Sequence, residues 1–209
     1  MKPLPYINHP IEVAISLKQR YPTPESMGLT MEELDPEHQK QCKNTEFLID
    51  SLPGMVQYLY TALIHGALLH DVIEDTEKTQ DDLYEVTDLF TIDVVLEVTD
   101  DQKLSKLDQR KAQIVNAPKK STVGKLVKLA DKLHNCTCFT NEMPAGPDLW
   151  AILVFNRAVV RGLTLPNGSP LITELTELFE KHIPADLDEK EYLEKYYGRY
   201  LPQVNPTPV

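Results

Sequence analysis

Four ionisable residues stand close together at the end of an apolar run: His70-Asp71 and, three positions on, Glu74-Asp75. The run before them, from Met55 to Ile73, is apolar nearly all round (Leu59, Leu63, Ile64, Leu68, Leu69, Val72, Ile73) and reads as one central helix. On such a helix His70 faces Glu74 and Asp71 faces Asp75, so the four groups crowd one side. Desolvating them is costly unless something compensates the charge, and a divalent cation is a common partner for imidazole plus carboxylate. Two further residues fit that chemistry. His9 lies in Tyr6-Ile7-Asn8-His9-Pro10 and leads into the apolar-periodic segment Ile11–Ile15. Asp131 is the lone acid of the amphipathic stretch Gly124–Asn135. Two imidazoles and two carboxylates leave room for water, and suit a hard or borderline octahedral ion such as manganese better than a closed zinc site.

The elements that must position these residues are all helical by pattern. A first helix spans 10–20 and is broken by Tyr21-Pro22-Thr23-Pro24. Residues 31–51 are polar and partly helical. After the 55–73 helix come a turn at Thr76–Thr79, an amphipathic segment from Asp81 to Phe90, and a helix over 91–99 despite its Val and Ile content. A charged helix Ser105–Asn116, a loop at Pro118–Ser121, the Asp131 helix, a loop at Met143–Pro147 and two helices near 148–162 and 170–182 follow. The end of the chain carries Tyr192, Tyr196, Tyr197 and Tyr200 before a proline-rich tail.

Composition narrows the function. At 209 residues the chain suits one domain with a real core. A formal charge of −11 argues against a nucleic-acid binder held by phosphate contacts. The residues after Met1 lack the apolar core of a secretory signal, no apolar stretch approaches membrane-spanning length, and three cysteines suit reduced thiols in the cytoplasm.

The order PYINHP, LLHDVIED and KLVKLADKLHN resembles the HD-domain hydrolases of the RelA/SpoT-homologue group, most of all their small, hydrolase-only animal type. The likeness runs through Glu97–Asp101, Lys106, Arg110 and Ala117-Pro118. It covers residues 5–16 and 57–135 well, and 155–183 weakly. It implies an all-α HD-domain helical bundle over residues 1–183, with a long insertion at 20–55 and a C-terminal extension over 184–209. It implies a Mn²⁺ cofactor held by His9, His70, Asp71 and Asp131. Glu74 and Asp75 become the pair that orients water or shuttles its proton, where the residues alone also allow an acidic helix end, although acids there oppose the helix dipole. Lys106 would approach phosphates, and Asn135 the nucleotide. The implied reaction is removal of the 3′-pyrophosphate of guanosine tetra- or pentaphosphate, with the 2′-phosphate of NADPH as a further substrate of the animal type.

Other readings stay beside these. Lys125, Lys128 and Lys132 recur as the solvated face of an amphipathic helix, whereas Lys103, Lys106, Arg110, Lys111, Lys119 and Lys120 form a basic cluster that could meet a polyphosphate. His65 and His134 read as structural, and Cys136 and Cys138 as bystanders. The chain also departs from the family. It begins five residues before Tyr6, without the helix and basic residues that precede that motif. His9 and His70 are 61 positions apart, much more than in the family. Cys136-Thr137-Cys138 stands where an Arg often follows, and Trp150 and Ile152 where a ligand-contacting tyrosine lies. These departures leave open an HD hydrolase for another nucleotide, or a metal-binding scaffold without turnover.

Overall fold

The computed structural model describes residues 7–28, 52–165 and 167–197. The expectation for 31–51 lies outside them, as do Cys42, Tyr200 and the proline-rich tail. The described residues are helical and connected by turns, with no strand among them.

Helix α1 (Asn8–Arg20) buries Pro10, Val13, Ala14 and Leu17, one stripe at helical spacing. Pro10 is tolerated because its missing N–H falls in the first turn, where no intrahelical acceptor exists. Tyr21 N–H closes on Leu17 O, and Pro22 stops further propagation. Arg20 reaches Glu174 across the fold, Nε to Oε1 at 2.7 Å, tying the end of α1 to helix α9 (Pro170–His182). Helix α2 (Leu52–Leu69) buries Met55, Val56, Leu59, Ala62, Leu63 and Ala67. At Gly66 it passes so close to helix α5 (Leu89–Val98) that an added Cβ would sit 2.9 Å from Val94 Cγ1.

The expected single helix over 55–73 is interrupted. His70 and Asp71 form a turn, and a separate short helix α3 (Val72–Asp75) restarts on the Asp71 carbonyl, which accepts from Glu74 N at 3.0 Å and Asp75 N at 2.9 Å. Nor is the run buried all round, since Leu68 is exposed. The segment expected from Asp81 to Phe90 also divides, into the short helix α4 (Gln80–Leu83) and the start of α5. Asp88 is the reason: its carboxylate accepts from Thr91 N at 3.1 Å and from Tyr58 OH at 2.6 Å, capping a new helix there.

Helix α6 (Lys106–Asn116) is capped by Ser105, and a 3₁₀ turn (Ala117–Lys119) leads into helix α7 (Thr122–Glu142), capped by Ser121. The centre of the molecule is α7. It packs on α1, α2, α5, α9 and helix α8 (Pro147–Gly162), and buries Val123, Leu126, Val127, Leu129, Ala130, Leu133 and Cys136. Helix α10 (Glu189–Tyr197) lies on α8, with Tyr197 buried and its hydroxyl donating to Ala151 O at 3.1 Å. No helix among the described residues is long and apolar enough to cross a membrane.

Candidate metal centre and phosphate pocket

Three elements meet at one point. The start of α1 brings His9, the turn after α2 brings His70 and Asp71, and the middle of α7 brings Asp131. His9, His70 and Asp131 hold ligand atoms all within 4.8 Å of one another. Asp71 joins them through Oδ2, 3.1 Å from His70 Nε2 and 3.4 Å from His9 Nε2. His9 Nε2 is also 3.2 Å from Asp131 Oδ1. The break in the helix explains the convergence: a turn at 70–71, not a continuous helix, lets adjacent residues both point at α1 and α7.

The imidazoles are held from behind. His70 Nδ1 donates to Ala67 O at 2.8 Å, which commits the proton to that nitrogen and leaves Nε2 as the lone pair. Nε2 is buried and makes no well-formed hydrogen bond. An orphaned, buried nitrogen between two carboxylates fits a cation. Without one, a proton serves instead: burial opposes it, but Asp131 and Asp71 prevail and push the His70 pKa up to about 10. Burial also opposes ionisation of Asp131, yet His70, His9, Lys128 and Lys132 together hold its carboxyl well below the ordinary carboxylate range. His9 Nδ1 lies 2.8 Å from His134 Nδ1, so His134 fixes the ring whose other nitrogen faces the acids. Burial, followed by the His9 charge, lowers the His134 pKa and favours the neutral ring. In the sequence His134 reads as structural, and its place four residues before Cys138 carries no sign of the contact with α1.

His9, Asp71, Asp131 and His134 open onto a cavity of about 570 Å³, lined also by Asn8, Glu12, Glu74, Asp75, Asp100, Gln113, Lys128, Lys132 and Asn135. Glu74 Oε1 accepts from Asp100 N at 2.6 Å, and burial raises its pKa. Desolvation and the Asp71 charge raise Asp75 as well. Asn135 Nδ2 donates to Asp131 Oδ1 at 2.6 Å, so this amide steadies the central acid while lining the cavity. Lys106 is exposed at the start of α6, outside the lining, although its charge reaches Asp75.

The lysines correct the sequence reading. Lys128 and Lys132 are not a solvated face but buried, 6% and 7% exposed, and Lys125 is half-buried. Their spacing with Asp131 and Asn135 is i, i+3, i+4, i+7: one face of α7, turned into the cavity instead of outward. Amphipathic periodicity cannot tell a solvated polar face from one that lines a polar pocket. Lys128 Nζ donates to Val98 O at 3.2 Å and stands 3.7 Å from Asp131 Oδ2. Burial opposes its charge, but Asp131, Asp100, Glu74 and Asp71 raise its pKa. Of the expected basic cluster, Lys120 turns to Glu97 O, and Arg110 lies 5.1 Å from the centre of the Tyr197 ring.

No model of a known protein family matches the chain. Individual proteins do. The guanosine-3′,5′-bis(diphosphate) 3′-pyrophosphohydrolase MESH1 of Drosophila melanogaster is 42% identical over 125 residues, 57% of this chain and 68% of the fly protein. MESH1 of Mus musculus is 37% identical over the same shares. Among solved structures, a metazoan orthologue of SpoT, described as hydrolysing ppGpp and acting in starvation responses, superposes with a TM-score of 0.61 at 28% identity. That match covers 85% of this chain and 81% of that one. A protein from Listeria monocytogenes EGD-e shares the fold at a TM-score of 0.55 and 21% identity, over 86% of this chain and 98% of its own. With an all-helical fold of HD type and more than two thirds of the fly protein matched, the chain belongs to the MESH1 family of guanosine-3′,5′-bis(diphosphate) 3′-pyrophosphohydrolases.

Proposed function

We propose that the chain is a metal-dependent phosphohydrolase that removes the 3′-pyrophosphate of guanosine tetra- or pentaphosphate, yielding GDP and pyrophosphate from the tetraphosphate. The observation that carries this is the orphaned His70 Nε2, buried between Asp71 and Asp131 and beside His9, in a chain whose relatives bear that activity in their names. His9, His70, Asp71 and Asp131 would hold the cation, and two imidazoles with two carboxylates favour Mn²⁺. A bound divalent ion lowers the pKa of its water toward neutrality and polarises a phosphoryl oxygen.

The remaining work falls to the side chains. Glu74 has one carboxylate oxygen fixed by Asp100 N–H, leaving the other for a water or its proton. Its raised pKa moves it toward the range where a carboxyl can take a proton and return it. Asp75, at the cavity edge, assists that transfer. Asn135 holds Asp131 in line and offers its amide to the nucleotide. Lys106, exposed and within electrostatic reach of Asp75, meets the outer phosphates. The domain assignment accompanying this reading is one hydrolase domain over 1–183, interrupted by 20–55 and extended by 184–209. The unpaired thiols of Cys136 and Cys138 support a reducing, cytoplasmic setting.

A substrate panel tests the proposal: guanosine tetraphosphate and NADPH side by side, each with Mn²⁺, Mg²⁺ or Zn²⁺. Pyrophosphate release from the guanosine nucleotide in Mn²⁺ is the expected result. Phosphate release from NADPH alone would replace the substrate, and release from neither would remove the activity.

A further inference from the structure

The cavity is a poor host for a polyphosphate on charge alone. Asp71, Glu74, Asp75, Asp131, Asp100 and Glu12 all line it, in a chain of net charge −11. Its two lining cations, Lys128 and Lys132, lie on one face of α7 a single turn apart. They are not equivalent. The Lys128 ammonium is spent on Val98 O and on the charge of Asp131. Lys132 Nζ makes one hydrogen bond, to the neutral Gln113 Oε1 at 3.0 Å, and sits 5.4 Å from the centre of the Phe155 ring.

An ammonium has three donors, and burying it with one neutral acceptor is expensive. Gln113 determines how the group is presented. Its Nε2 donates to Asp100 Oδ2 at 2.6 Å, which fixes the amide so that Oε1 faces Lys132. The Phe155 ring backs the same ammonium with its π face. Lys132 is thus held on two sides, at 7% exposure, with donors unspent at a cavity wall.

We propose that Lys132 is a substrate-binding cation of this pocket, taking a phosphoryl oxygen of the diphosphate with the donors that Gln113 leaves over. This rests on the phosphohydrolase reading above and adds to it the group that offsets the acidic wall. Gln113 is the positioning residue, acting through Lys132.

The test uses the full, metal-loaded chain, with calorimetric titration of inorganic pyrophosphate and steady-state kinetics on guanosine tetraphosphate. Lys132→Met keeps the apolar stem and removes the charge. It is expected to weaken pyrophosphate binding and raise KM about tenfold or more, with a smaller change in kcat and unchanged metal content. Lys132→Arg should recover part of the loss. Gln113→Leu should weaken pyrophosphate binding on its own but add little to Lys132→Met. Wild-type pyrophosphate affinity and KM in a folded, metal-loaded Lys132→Met would overturn the proposal. So would a loss explained wholly by lost metal, which would make Lys132 a support for Asp131. If Lys132→Met does not fold, Gln113→Leu decides: unaltered pyrophosphate affinity there counts against the assignment. Absence of turnover in the wild type would remove the phosphohydrolase reading instead, while the pyrophosphate titration would still decide the role of Lys132.

Discussion

Among the single residues, His70 sits at the heart of the site, buried beside Asp71 and Asp131. Its buried Nε2 takes a proton in the metal-free protein, and the proposed cation would compete with that proton. With the pKa raised to about 10, the metal-free site is protonated at neutral pH, so loading the ion expels a proton. Metal affinity should therefore rise with pH, by about tenfold per unit while His70 is the group that titrates, and flatten as pH approaches 10. A pH series of metal titrations reads this directly, and a pH-independent affinity would contradict it. The same shift affects the metal-free protein. A raised imidazole pKa adds stability that is complete below the unfolded value of about 6.5 and is lost as pH rises toward 10, so the metal-free form should melt at lower temperature in mildly alkaline buffer. His134 supports His9 from behind, and His134→Ala should weaken metal binding about 10- to 100-fold while leaving the fold intact, as loss of a ligand's hydrogen-bonded partner does. Most of these residues were legible in the sequence: His9, His70, Asp71 and Asp131 converge as expected. His134, Gln113 and the buried lysines were not. Their contacts cross from one helix to another, as in Lys132 to Gln113, and nothing in local spacing encodes such a contact.

At the scale of elements, the informative departure is the break after Leu69. Apolar periodicity runs on through Ile73, and by pattern alone the helix should too. The His70 ring bonds back to Ala67 O and Asp71 gives its carbonyl to two later amides, so the chain turns at the two residues that meet His9 and Asp131. Helix α7 was recognisable as amphipathic, but its polar face lines a pocket, and that distinction depends on what packs around it. α5 was legible as a helix despite its β-branched content, while its start was set by Asp88. Asp88→Ala removes a cap that also holds the Tyr58 hydroxyl, and should cost about 1–2 kcal/mol in chemical denaturation. Leu129→Ala, in the fully buried middle of α7, should cost about 2–5 kcal/mol, and an unchanged denaturation midpoint would argue against α7 as the central element.

At the level of the whole molecule, a helical frame built on α7 gathers side chains that are far apart in sequence, His9 and Asp131 among them, into one cavity. Under the proposed metal site an ion completes that frame, so chelation should lower the melting temperature of metal-loaded protein, by mass action on the native state. All-α architecture was readable from periodicity, and the family from three ordered motifs. The packing of α10, which buries Tyr197 against α8, was hidden in a tyrosine-rich segment without clear apolar period. Pyrophosphate release by Mn²⁺-loaded wild type and Asp131→Ala in parallel tests whether the proposed His9–His70–Asp71–Asp131 centre drives hydrolysis of guanosine tetraphosphate. The account predicts GDP and pyrophosphate from the wild type and none from the variant; a wild type that holds metal at these residues yet releases nothing, or a variant that retains full activity, would contradict it.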